Sequence, residues 1–311
     1  MRKWLVLGAL VVFMVFAGAV AGGAITFGGG GGPGASGVSV TVSRDFGAKV
    51  LERRKSASVK SGETVMRYMQ RTFHVTTRYG GGFIQSIEGL PGDSARRQDW
   101  FYYVNGIEAE RGAASRKLAD GDRVWWDHHN WQAAQSVPAV VGSWPEPFLS
   151  GEEGRQIPLA ITCVGTPRPC DEVRTRLVAE GVKRISSAGI GAGVGQKLLR
   201  IVIGPWSQIK VDPAVSLLAK GPGASGVYAR PGDKGIELLD ESGKVSRTLV
   251  GGGLIAAVRF QDQQPTWILT GTDEAGVQAA AASLREDILA DRFAVAIDQG
   301  RGIPLPVRPV P

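Results

Sequence analysis

Residues Trp100–Trp131 read WFYYVNGIEAERGAASRKLADGDRVWWDHHNW. The run up to Val104 alternates as a strand does, and Asn105-Gly106 is the dipeptide that suits the left-handed centre of a two-residue hairpin turn. A second turn at Asp120-Gly121-Asp122 leads into Arg123–Asn130, a further strand. Side chains on a strand point alternately to its two faces. Trp100, Tyr102 and Val104 therefore share one face, and Phe101 and Tyr103 the other. On the following strand Val124 and Trp126 oppose Trp125 and Asp127. One aromatic set is core. The other is a second aromatic surface, more than a solvated face needs, and it fits a domain interface, a protein partner or a flat ligand.

Working upstream, VSVTVSRD (38–45) alternates as a strand, and a second strand ends near Ser58–Lys60 before a turn at Gly62. Glu63–Phe73 puts Val65, Met66, Met69 and Phe73 at helical spacing. GGGFIQSIEGL (80–90) is a short strand between turn residues. Strand, strand, helix and several strands is the order of a β-grasp fold, one helix across a mixed sheet. The fold class expected is thus an α+β N-terminal β-grasp domain over 38–131, then an α/β sandwich domain with a mixed sheet over 156–311. The Pro- and Gly-rich connector 132–155 carries Val140, Trp144 and Phe148, so it should pack along a surface.

In the second half PLAITCVG, LLRIVIGPW, GLIAAVRF, TWILTG and RFAVAID read as strands. CDEVRTRLVAEGV reads as a helix with Asp171 and Glu172 at its positive end, and DPAVSLLAKG as a short helix. A hairpin is expected around Pro231-Gly232-Asp233. TDEAGVQAAAASLREDILAD is the clearest helix, capped by Thr272 or Asp273, with Val277, Ala281, Leu284 and Ile288 along one face.

The chain's 311 residues suffice for about two domains. At its N-terminus MRKW and an apolar run ending in Ala19-Val20-Ala21 form a secretion signal over 1–21, either cleaved or retained as an anchor. A Gly-rich tether follows at 22–37. Both readings place the protein outside the cytoplasm, secreted or membrane-tethered, with membrane contact only through that segment. The two cysteines, Cys163 and Cys170, agree: an isolated pair in an oxidising compartment reads as a disulfide around a Pro-bent loop. A loop this short should contribute about 2–3 kcal/mol.

The formal charge of +7 comes from 36 basic and 29 acidic residues that are scattered, with only Arg53–Lys55 forming a run. Nucleic acid would call for a denser stripe. His128 and His129 are neighbours on a strand and so face apart, which argues against a shared metal. GIGAGVGQK (189–197) lacks phosphate-loop spacing, Leu198 standing where the hydroxyl belongs. GPWSQ has a serine outside the G-x-S-x-G frame. No nucleophile–base pair emerges, so the expectation is a protein that is not an enzyme and needs no cofactor.

The Trp-x-Tyr-x-Val-Asn-Gly strand and turn (Trp100, Tyr102, Val104-Asn105-Gly106), the small pair Ala113-Ala114, and Leu118, Gly121-Asp122, Val124 and Trp126 resemble the signature of the transcobalamin C-terminal-like domain. SGETVMRYMQRT fits that family's helix position. The resemblance covers about 38–131 and implies a β-grasp module of the kind found in bacterial extracytoplasmic proteins. In cobalamin carriers the module closes over the corrin against a helical barrel, which this sequence lacks; its second half faintly resembles α/β envelope domains and is left unassigned. The function expected is non-catalytic binding, of a small flat ligand, cobalamin-like included, or of a cell-envelope component. The aromatic face would do this through Phe101, Tyr103, Trp125, His128, His129 and Asn130. The alternative is a structural or interaction module of the envelope without a ligand, its aromatics buried between domains.

Overall fold

The structure is a computed structural model and describes residues 37–193 and 195–308. The segment 1–21 read as a secretion signal, and all but the last residue of the segment 22–37 read as a tether, lie outside them. Chain order in the first half is β1 (Val38–Arg44), β2 (Lys49–Ser56), α1 (Val65–Thr72), β3 (Val75–Arg78), β4 (Phe83–Ile87), β5 (Leu90–Pro91), β6 (Gln98–Val104), β7 (Ile107–Glu108) and β8 (Arg123–Asn130). Five of these strands form one sheet in the order β2-β1-β8-β6-β7, and β3-β4-β5 form a small sheet of their own. β1 pairs antiparallel with β2 and parallel with β8, and β8 runs antiparallel to β6. Helix α1 lies within the expected Glu63–Phe73 but starts at Val65, capped by Thr64, whose hydroxyl accepts from the Arg67 N–H. Its buried Val65, Met66 and Met69 join Val40, Val42, Trp100, Trp126 and Ile87 in a core on one face of the five-stranded sheet.

The Asn-Gly turn and the Gly-Asp turn are one device. Asn105, at φ +56°, donates from Nδ2 to Asp122 Oδ1 at 2.9 Å and accepts at Oδ1 from the Arg123 N–H, also at 2.9 Å. Gly106 has no substitute: a Cβ there would lie 2.8 Å from the Val140 carbonyl oxygen. The turn is thereby locked both to its neighbour strand and to the connector.

The second half begins with β9 (Leu159–Cys163), α2 (Pro167–Ala179), β10 (Ile185–Ala188), β11 (Leu199–Pro205), α3 (Trp206–Ile209) and α4 (Pro222–Ser225). It continues through β12 (Ala229–Gly232), β13 (Gly235–Leu239), β14 (Val245–Leu249), β15 (Gly253–Val258) and β16 (Thr266–Gly271). α5 (Glu274–Ala282), α6 (Glu286–Leu289), β17 (Ala294–Asp298) and β18 (Arg301–Leu305) complete it. Seven strands form a mixed sheet in the order β10-β9-β11-β16-β15-β17-β18, and β12-β13-β14 form an antiparallel sheet containing the expected hairpin. Both faces of the large sheet are buried, which is why its strands read as continuous apolar runs. Ile201, Ile203, Trp267 and Leu269 pack on one side with α2, α5 and the connector's Trp144 and Phe148. Val202, Ile268, Leu254 and Ala256 pack on the other with the three-stranded sheet.

Several expected elements are displaced. The second strand stops at Ser56, short of Ser58–Lys60. α2 starts at Pro167, so Cys170 lies in its first turn and the disulfide Cys163–Cys170 staples that turn to the end of β9. Asp171 and Glu172 therefore fall beyond the first turn, and Glu172 instead accepts from Arg176 at 2.7 Å. The segment 272–291 breaks into α5 and α6, because Ser283 donates its N–H back to the α5 carbonyls and Arg285 is extended. Asp273 is the α5 cap, accepting from the Gly276 N–H at 2.8 Å. Val215–Lys220 is a 3-10 helix. Among the described residues no helix is long and apolar enough to cross a membrane.

The described chain is one compact unit. The turn between β1 and β2 makes it so. Phe46 stacks on His129 (4.6 Å between ring centroids) and meets Tyr228 and Phe293 edge-on at 5.0 and 5.1 Å. Asp127, fully buried, holds that turn by accepting from Phe46 N (3.0 Å), Gly47 N (2.8 Å) and Ser43 Oγ (2.5 Å). Arg123–Glu286 (2.9 Å) and Arg259–Glu110 (2.6 Å) tie the same two halves together.

Candidate ligand-binding site

The face carrying Phe101, Tyr103, Trp125 and His129 is where the sequence places a ligand surface, and the structure covers most of it. Tyr103 (0% exposed) and Trp125 (3%) sit in the cluster shared with the second half, and His129 (2%) packs against its Phe46. Phe293 packs edge-on against all three, at 5.6, 5.1 and 5.2 Å. Trp125 Nε1 donates to Ser43 Oγ at 2.7 Å, and His129 Nδ1 pairs with Asp127 at 2.9 Å. His128 projects to the opposite face, edge-on to Trp100 and bonded through Nε2 to the Pro91 carbonyl at 3.1 Å. Asn130 donates to the Arg96 carbonyl at 3.2 Å. These six residues thus divide between two faces, and the expected continuous surface is an interior contact. Of the six, Phe101 lines an opening.

That opening is a groove of about 580 Å³ beside β6. This is within the range of small-ligand sites. Trp100, Tyr102 and Trp126, the set read as core, also form its floor, with the Tyr102 and Trp126 rings stacked at 4.6 Å and 19°. One wall is Gly82-Phe83-Ile84 at the start of β4, and the other is Glu108–Ala113. The walls meet where a Cβ on Gly112 would stand 3.6 Å from the Gly82 carbonyl oxygen. Trp131 and Gln135 add connector surface, and Phe83 is 47% exposed. The cause is local: β7 is only two residues long, so the chain leaves the sheet at Glu108 and the outer edge of β6 stays uncovered.

Three carboxylates, Asp99, Glu108 and Glu110, line the groove beside one cation, Arg111. Glu108 accepts from the Ser136 hydroxyl, yet burial pushes its carboxyl above the ordinary range. Glu110 is held by Arg259, and Asp99 accepts from the Trp100 N–H at 2.8 Å. Burial also pushes the Tyr102 hydroxyl up to about 12, and it donates to the Arg111 carbonyl. Among the described residues no group of three or more His, Cys, Asp or Glu side chains could hold a metal ion. The one sequence sign of the groove was the polar, Gly-containing stretch EAERGAAS after Ile107, which leaves the hairpin's second strand too short to cover its partner.

Residues 62–130, which run from α1 to β8 and build most of the groove, match the family described as Domain of unknown function (DUF4430). Among curated proteins none matches this chain. A solved structure described as a "putative metal binding protein" from Ruminococcus gnavus is similar over 30% of this chain and 95% of its own, at 16% identity and a TM-score of 0.26.

Proposed function

We infer that this is a non-catalytic binding protein of the extracytoplasmic space whose ligand enters the groove beside β6. The observation that carries the reading is an open groove of about 580 Å³ with an aromatic floor. Indole and phenol rings form its floor, a half-exposed Phe83 its lip, and carboxylates its far wall. Aromatic floors of this kind recognise flat apolar groups by stacking. The polar groups around it are already engaged in structural bonds: Glu110 with Arg259, Tyr102 with Arg111, Asp99 with the backbone. What the groove offers is shape, ring surface and negative charge. The Cys163–Cys170 disulfide supports an oxidising compartment. The parallel pairing of the first and last strands, with α1 packed on the sheet, supports the β-grasp and transcobalamin-like reading of the first half.

Tryptophan emission should report occupancy, since Trp100, Trp126 and Trp131 all line the groove. Titration with small planar compounds (tryptamine, haem and cobalamin among them) should give saturable quenching, weakened in Phe83→Ala and unchanged in Val211→Ala, an exposed residue elsewhere. Absence of quenching by every compound, with no bound species in native mass spectrometry, overturns the reading.

A further inference from the structure

The groove follows a strand edge, and this says more about what fills it. Asp99, Trp100, Phe101 and Tyr102 all line it, although alternate residues of a strand point to opposite faces. Four successive lining residues mean that the cavity runs along the backbone of β6. The direction of that backbone follows from its neighbours. Asn105 N–H donates to the Arg123 carbonyl and Trp131 N–H to the Arg97 carbonyl, so odd-numbered positions turn their main-chain groups toward β8. Even-numbered positions turn theirs outward. Gln98 uses its outward pair on Asp93 at one end, and the Tyr102 carbonyl accepts from Ala109 N–H at the other. The Trp100 N–H is taken by the Asp99 carboxylate. Between them the Trp100 carbonyl and the Tyr102 N–H have no partner among the described residues. They are an acceptor and a donor spaced for one residue of an added strand, and an uncovered edge is a template for strand addition.

Resting on the binding reading above, we propose that the occupant is an extended peptide segment of a partner protein, carrying lysine or arginine. It adds to β6 at Trp100 and Tyr102 and lays a basic side chain against Glu108 and Glu110. Charge complementarity selects the basic peptide, because three of the four charged side chains in the lining are carboxylates, and of these Glu110 alone is ion-paired, to Arg259, with most of its side chain still exposed. Main-chain bonding to β6 supplies register, and the floor of Trp100, Tyr102 and Trp126 supplies the apolar contact for alternate side chains. The edge is short and lies in a recess, which restricts entry to a single extended segment and keeps it from pairing with a second copy of this sheet.

The test is panning of a displayed random heptapeptide library against the oxidised protein, followed by synthesis of the enriched sequences. The expected result is enrichment of sequences with a basic residue two positions from an aromatic or branched one. Methylating one backbone nitrogen of such a peptide should weaken binding by about tenfold, the worth of one main-chain hydrogen bond in a recessed site. Amide exchange at Tyr102 should slow on binding, and Glu110→Lys should lose the basic peptides without altering the far-UV spectrum. If peptides bind but methylation at every position is tolerated and the Tyr102 amide is unprotected, strand addition is wrong while the groove stands. If no peptide is enriched although planar compounds quench the tryptophans, the peptide inference falls and the small-ligand reading survives. If neither binds, both fall.

Discussion

Replacing Phe46 by Ala should show that the two halves of this protein unfold together. Phe46 is 5% exposed and sits on a turn of the first half, yet two of its three ring partners, Tyr228 and Phe293, belong to the second. Its backbone is left-handed (φ +58°) in either variant, so the change isolates the side chain. Removing a buried phenyl ring costs about 3–5 kcal/mol in transfer and cavity terms. Asp127 continues to hold the turn through the Phe46 and Gly47 N–H groups, so the site cannot collapse freely and the upper part of that range is expected. With a urea dependence of roughly 3 kcal/mol per molar for a chain of this size, the midpoint should fall by ~1.5 M without a change in slope. Unfolding followed by tryptophan emission and by far-UV dichroism should give one coincident transition before and after the substitution. The reasoning fails if the loss is under about 1 kcal/mol, smaller than any buried phenyl should cost. It also fails if two transitions separate and only the one reporting the first half moves.

Four further outcomes are expected. Gly47→Ala should destabilise by about 2–4 kcal/mol in the same urea titration, combining overpacking with a strained φ, since the new Cβ would lie 2.1 Å from the Asp291 carbonyl oxygen. Replacing both Cys163 and Cys170 by Ala should cost about 2.5 kcal/mol, the loop-closure entropy of so short a ring, read as a lower melting temperature that reductant no longer changes. Arg200→Met should cost about 3–5 kcal/mol by leaving the buried Asp212 carboxylate without its guanidinium, whereas the double change with Asp212→Asn, which removes the charge and keeps an oxygen for the Ala214 N–H, should recover part of that loss. Burial holds the His128 imidazole below its ordinary 6.5, so the unfolded chain takes up that proton more readily than the folded one. Stability should therefore fall as pH drops from 7 toward 5, and His128→Gln should flatten that part of the profile in pH-dependent urea titrations.

Local sequence was enough for several of the first half's elements, though not for the end of its second strand. The Asn105-Gly106 turn, the alternation through Trp100–Val104 and a helix within Glu63–Phe73 each depend on contacts within a few residues, and each is present in the structure. Interruptions caused by distant packing were not legible. The 272–291 segment has an unbroken helical pattern, yet it splits at Ser283–Arg285 where Leu284 is drawn into the core of the large sheet. The pairing Cys163–Cys170 was readable because there are no other cysteines, but the helical turn it enters was not.

The candidate site shows the same division more sharply. Strand alternation alone sorts Trp100, Tyr102 and Trp126 from Phe101, Tyr103 and Trp125, because a period of two is a property of the backbone. Alternation is silent about what covers each face. Phe293 and Tyr228, from the far half of the chain, close the face that carries Trp125 and His129. The opposite face opens at the edge of β6 because β7 ends after two residues and the chain turns off through Glu108–Ala113. The sequence determined the aromatic inventory, its two-sided arrangement and the turns that hold it. Only the tertiary structure decided which side meets solvent, since burial is set by segments that approach from far along the chain.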